Sequence, residues 1–121
     1  MIHRVQFISL EEDDKDLIVS FAIDDVNLGV KSLILHRTLF FEHVLDEGER
    51  GVRVSLDDDY FDQEDFNMLN SIKISNDEIL VESTFREYHL NISRIEDSEI
   101  DEMRQLLKKQ NYDNRFTILI A

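Results

Sequence analysis

The stretch SIKISNDEILVES, residues 71–83, decides the fold. Ile72 and Ile74 bracket Lys73, and period-two alternation of this kind puts every second side chain on one sheet face. Between Ile74 and Ile79, the residues Ser75, Asn76, Asp77 and Glu78 supply turn chemistry, because Asn and Asp hydrogen-bond locally and tolerate left-handed backbone angles. The stretch therefore reads as a β-hairpin. Downstream, Phe85 to Glu87 makes the next turn of a meander, and Tyr88, Leu90 and Ile92 bracket His89 and Asn91 on a third strand with one wet side.

Working outward, Val52, Val54 and Leu56 alternate with Arg53 and Ser55, and Leu17, Val19, Phe21 and Ile23 share one face of an earlier strand. Three further strands are less regular: HRVQFISL near the N-terminus, KSLILHRTL from Lys31 to Leu39, and the final FTILIA. The last two are apolar on both faces, which predicts a central or covered position. One helix is expected from about Ser98 to Gln110. Ser98 is its predicted cap, with Asp101 in the third position of a loose capping box, and Ile100, Met103, Leu106 and Leu107 form one apolar stripe. Acids in its first turn and Lys108 and Lys109 in its last complement the helix dipole. A second, short helix is expected around Asp62 to Leu69. The predicted architecture is α+β: a mostly antiparallel sheet, a C-terminal amphipathic helix packed on one face, and a final short strand.

At 121 residues and 14.4 kDa the chain is expected to form a single domain over residues 1–121, since two independent cores would each bury too little apolar surface. It has no cysteine, which excludes disulfides, thiolate nucleophiles and Cys-based zinc sites. No apolar run approaches the roughly 20 residues that span a bilayer, and the N-terminal MIHRVQFISLEEDD turns acidic before a signal-peptide core could form, so the expected location is cytoplasmic. The formal net charge is -14, from 27 Asp and Glu against 13 Lys and Arg. Such a field repels phosphate backbones and anionic membranes and attracts a basic macromolecule, with a strength that salt weakens. Neither nucleic acid nor a membrane is an expected partner.

The charge is densest in SLDDDYFDQEDFN, Ser55 to Asn67. An EF-hand loop beginning at Asp57 would need an oxygen ligand and then glycine at its fifth and sixth positions, where Phe61 and Asp62 stand, and one beginning at Asp58 fails at Tyr60. A pair of carboxylates for glycoside hydrolysis cannot be singled out among so many neighbours. Histidines His3, His36, His43 and His89 show no HExxH pair, and Glu42, His43, Asp46 and Glu47 in FFEHVLDE lack a recognised ligand spacing. No glycine-rich phosphate loop or nucleophile elbow occurs. The sequence thus points away from an enzyme, a metal site or a cofactor. It offers instead a partner-binding surface, with Asp57, Asp58, Asp59, Asp62, Glu64 and Asp65 as the charge and Tyr60, Phe61 and Phe66 as aromatic anchors. The competing expectation is an acidic interaction or regulatory module that self-associates through exposed strand edges, as a homo-oligomer, or binds another protein.

The order of DLIVSFAID, SLILHRTLFFEHVLDEG, VRVSLDDDYF, the hairpin SIKISNDEILVES, the strand YHLNIS and the helix DEMRQLLKK resembles the immunity protein 10 family of bacterial polymorphic toxin systems, over about Asp16 to Lys109. The resemblance implies a small cytoplasmic protein that binds and neutralises a cognate toxin domain. It carries no catalytic residue over to this chain.

Overall fold

The computed structural model describes residues 2–27, 29–56 and 67–120. Eight strands form one sheet: β1 (Ile2–Glu12), β2 (Asp16–Asp25), β3 (Gly29–Thr38), β4 (Arg53–Leu56), β5 (Leu69–Ile74), β6 (Glu78–Ser83), β7 (Glu87–Asn91) and β8 (Thr117–Ile120), with one helix, α1 (Asp97–Gln110), before the last strand. Their order across the sheet is β4-β3-β2-β1-β7-β6-β5-β8. Two antiparallel meanders, β1 to β4 and β5 to β7, are joined side by side through a parallel β1/β7 pair, and β8 adds in parallel to β5. The meanders also meet at the other side. Val54 N donates to Asn67 O at 2.8 Å and Leu69 N to Val52 O at 2.8 Å, with Arg53 bridging Met68 in antiparallel fashion. A strand at one end of the order is thus bonded to the chain entering the seventh, which requires the sheet to curl round on itself.

The inside of the curl is the core. Leu17, Val19, Phe21 and Ile23 of β2, Leu33 and Leu35 of β3, Val54 and Leu56 of β4, Ile72 and Ile74 of β5, Ile79 and Val81 of β6, and Tyr88 and Leu90 of β7 are all buried, as the alternation predicts. Two strands break strict alternation. In β1 the register shifts between Val5, opposite Ile23, and Phe7, opposite Ala22, so Val5, Ile8 and Leu10 face inward while Phe7 is left exposed. In β5 a second shift lies between Leu69 and Ser71, and the inward residues are Leu69, Ile72 and Ile74. Each irregularity adds a residue to one strand and exchanges its faces beyond that point.

Helix α1 lies against β1 and β2 and buries Met103, Leu106, Leu107 and Gln110, with Ile100 partly covered. The expected stripe is therefore the packed face, extended by a polar residue. The start differs from expectation by one turn chemistry: Glu96, not Ser98, is the N-cap, in a reciprocal box with Glu99, and Glu96 N donates to Glu99 Oε2 at 3.3 Å. Glutamate reaches the third amide as Ser would, with a charge that also suits the helix dipole. Two other expectations change. FTILIA is neither central nor covered: β8 ends the sheet order, and although Ile118 packs on the core, Leu119 and Ile120 are about half exposed. Of the short helix expected around Asp62 to Leu69, residues 62–66 lie outside the described residues; in the rest the backbone bonds to β4 instead, with Met68 bridging Arg53 and Leu69 beginning β5.

Candidate functional site

The partner-binding residues expected from sequence, Asp57, Asp58, Asp59, Tyr60, Phe61, Asp62, Glu64, Asp65 and Phe66, lie outside the described residues. Their flanks are fixed. Leu56 pairs with Leu33 and Arg53 with His36, so the chain runs along β4 toward the Gly29 end of β3 and away from Thr38.

At the Thr38 end the structure assembles a site that the sequence did not announce. Residues 33, 35 and 37 of β3 point inward, and the third of them is arginine. Arg37 is 0% exposed and its guanidinium is fully engaged. Nε donates to Glu42 Oε2 at 2.9 Å and Nη2 to Glu42 Oε1 at 2.5 Å; Nη1 donates to Asp113 Oδ1 at 2.7 Å and to the Gln110 carbonyl at 2.7 Å; Nη2 also reaches Asp113 Oδ2 at 2.9 Å and the Tyr112 hydroxyl at 3.0 Å. The Tyr112 ring covers the guanidinium, with 4.2 Å from Cζ to the ring centroid. Burial works against the charge on Arg37, but the hydrogen bonds it donates to Asp113 and Glu42 outweigh it and raise its pKa above the ordinary arginine value. The Arg37 bond, followed by that of Arg115, holds the Asp113 carboxyl far below the usual carboxylate range against a desolvation that pushes it up. Asp113, held as an anion against an obligate cation, is a poor proton donor, and the node works as a clamp.

The clamp joins three remote pieces of chain. Glu42 stands in a single-turn 3-10 helix, Glu42–Val44, just after β3; Gln110 ends α1; Asp113 lies in the turn that follows. Gln110 Nε2 donates to the carbonyls of Leu17 at 2.9 Å and Leu35 at 3.0 Å, while its Oε1 has no partner among the described residues. Arg115 extends the network, bonding Asp113 at 2.6 Å and the Glu47 carboxylate at 2.9 Å. Gly51, at φ +124, lets the chain turn beside it where a Cβ would sit 3.3 Å from Arg115 Cδ and 3.4 Å from Met68 Cε. Asn114, at φ +56, takes the left-handed backbone of the turn, which asparagine tolerates.

Above this base apolar side chains face solvent. Phe40, Phe41, Val44 and Tyr112 are each more than half exposed. The two phenylalanines meet edge to face at 4.7 Å, and Lys15 Nζ sits 5.8 Å from the Phe40 centroid, so that ring already accepts a cation. Leu39 N donates to Lys15 O at 2.7 Å, which brings the acidic β1–β2 turn, with Asp13 and Asp14, against the cluster. Asp46, Glu47 and Glu49 follow in the same connection. The set is an apolar centre with acidic residues in the adjoining turns, standing on the Arg37 network.

The ligand candidates in FFEHVLDE do not converge. Glu42 is turned inward to Arg37, Glu47 to Arg115, and His43 is exposed. His36 bonds Asp16 at 2.7 Å on the outer sheet face, and His89 lies 4.0 Å from Glu87. No group of three or more His, Asp or Glu residues among the described ones is arranged to hold a metal ion. No helix among them is long and apolar enough to cross a membrane. Comparison with protein-family models, curated proteins and solved structures returns no match for the chain. The likeness to the immunity family therefore rests on the sequence features quoted above.

Proposed function

We propose that the chain is a non-enzymatic binding module that takes a basic protein partner on its acidic surface, and that the partner is a toxin domain which it neutralises, as the sequence resemblance implies. The observation that carries the reading is the exposed group Phe40, Phe41, Val44 and Tyr112, set on the Arg37 clamp and bordered by acids in a chain of net charge -14. Rings set on a densely hydrogen-bonded base lose less entropy on binding, and exposed acids around them steer a cationic surface into place. The acid-rich stretch of residues 57–66 is the second contact region of the proposal.

The test is co-expression with the toxin candidate encoded beside this gene, together with association kinetics. The parent should restore growth and bind in a salt-weakened manner. Phe40→Ala with Phe41→Ala should speed dissociation, whereas neutralising Asp57, Asp58 and Asp59 to Asn should slow association and flatten its salt dependence. Binding and rescue unchanged in both variants would overturn the proposal.

A further inference from the structure

We infer that the free edge of β8 pairs with β8 of a second copy, in antiparallel fashion, so that two sheets join across a two-fold axis. Among the described residues β8 has one neighbour, β5, and its opposite edge leaves main-chain donors and acceptors open. Sheets normally protect such an edge with charge, proline or a bulge. Here none is present: Phe116 to Ile120 carries no charged residue in a chain whose composition is 33% charged. The edge is also bordered by a mixed cleft beside α1, where Ile74, Ile92, Ile100 and Ile120 lie among Asp97, Asp101 and Arg104. A strand added at β8 would extend the sheet under the helix and cover that cleft.

The register follows from the pleat. Ile118 and Ile120 lie opposite Ile72 and Ile74 of β5 and share their inward face, while Leu119 turns outward. Paired residues of neighbouring strands share a face, so a two-fold through Leu119 sets Ile118 of each copy against Ile120 of the other, over the cleft, and Leu119 against itself outside. The uncharged strand favours a second copy of itself over a basic peptide, since Phe116 to Ile120 holds no acids for a cation to meet. A four-residue edge is short beside the roughly 1,200–2,000 Å² of a stable interface, which places the dimer in the weak, concentration-dependent class.

Two experiments test the pairing. Sedimentation of the full chain from about 5 to about 500 µM should show a monomer–dimer shift that strengthens in about 0.5 M salt, because screening relieves repulsion between two acidic copies. That sign is opposite to the one expected for a basic partner, so the two proposals fail separately. Ile120→Lys should abolish the shift while leaving the far-UV spectrum and melting temperature near the parent's. The chain has no cysteine of its own, so Leu119→Cys should cross-link to its own copy on mild oxidation at least tenfold faster than Val26→Cys, a position 99% exposed in the β2–β3 turn. A monomer at every concentration and salt, an unchanged dimer in Ile120→Lys, or equal cross-linking rates for the two cysteines would each overturn the inference.

Discussion

Where β3 ends at Thr38, the chain leaves the sheet through a buried arginine that touches two carboxylates, a carbonyl and a phenol; where the sheet ends at β8, a strand of four uncharged residues leans on one neighbour. The first region is directional. Each bond of Arg37 fixes an angle, so Glu42 and Asp113, 71 positions apart, hold one arrangement of the exposed rings above them. The second region is apolar and undirected, with Leu119 and Ile120 about half exposed. Hydrogen-bonded ion pairs give position at a high desolvation cost, and open strand edges give association at little cost. The molecule has built its rigid surface from the former and left the latter uncovered.

The largest effect is expected at the clamp. Arg37→Met should destabilise the protein by about 3–5 kcal/mol in urea unfolding, because it leaves Glu42 buried without its cation. Combining it with Glu42→Gln should recover part of the loss, since the uncompensated charge is then gone. A loss under about 1 kcal/mol for the single variant would show that the clamp is incidental to folding. Next in size is Gly51→Ala, expected to cost about 1–3 kcal/mol from backbone strain alone and more if Arg115 is displaced from Asp113 and Glu47. Melting temperatures of Gly51→Ala in the parent and in an Arg115→Ala background separate the two contributions.

How much of this contrast was legible in the sequence depends on which residues carried it. The meander of residues 71–92 and the helix stripe were legible, because period two and period 3.6 are local properties. The bulges were written as spacings: Val5, Ile8, Leu10 and Leu69, Ile72, Ile74 each show a gap of three followed by a gap of two, which interrupts alternation where the register shifts. Arg37 was not marked, because KSLILHRTL is apolar on both faces and does not show which face holds the arginine, and its acceptor Asp113 is separated by 76 positions. The openness of β8 was illegible for a similar reason. Apolar residues on both faces report that a strand is sticky, whereas the number of its neighbours is set by the crossover through α1. The acidic stretch that dominates the sequence by composition lies outside the described residues, and the exposed rings of Phe40 and Phe41 resemble any pair of core phenylalanines until their strand is placed.

Acid sharpens the contrast by weakening one region and sparing the other. Asp113 has a folded-state pKa held below its ordinary 3.8, so its contribution is complete above that value and is lost as the pH falls through the lower folded value. Asp113→Asn removes the contribution at all pH. The variant should be less stable than the parent at pH 7, with a difference that narrows only once the pH drops below about 4, as the parent's own carboxyl protonates. Comparing variant with parent cancels the general effect of titrating the other acids. A difference constant from pH 7 down to the acid limit would mean that Asp113 acts through shape and not through charge.

The smallest effect is expected at the open edge. Leu119 is about half exposed on the outer face, opposite the side that packs on the core, so Leu119→Lys should change the stability of the monomer by no more than about 0.5 kcal/mol at micromolar concentration. The same substitution sets two lysines face to face on the proposed two-fold and should suppress association at high concentration, since like charges directly opposite on paired strands repel. A stability loss comparable to that of Gly51→Ala would show instead that β8 is held by Leu119 as firmly as the clamp is held by Arg37. The edge would then be part of the rigid body, and the division between a fixed surface and an available one would disappear.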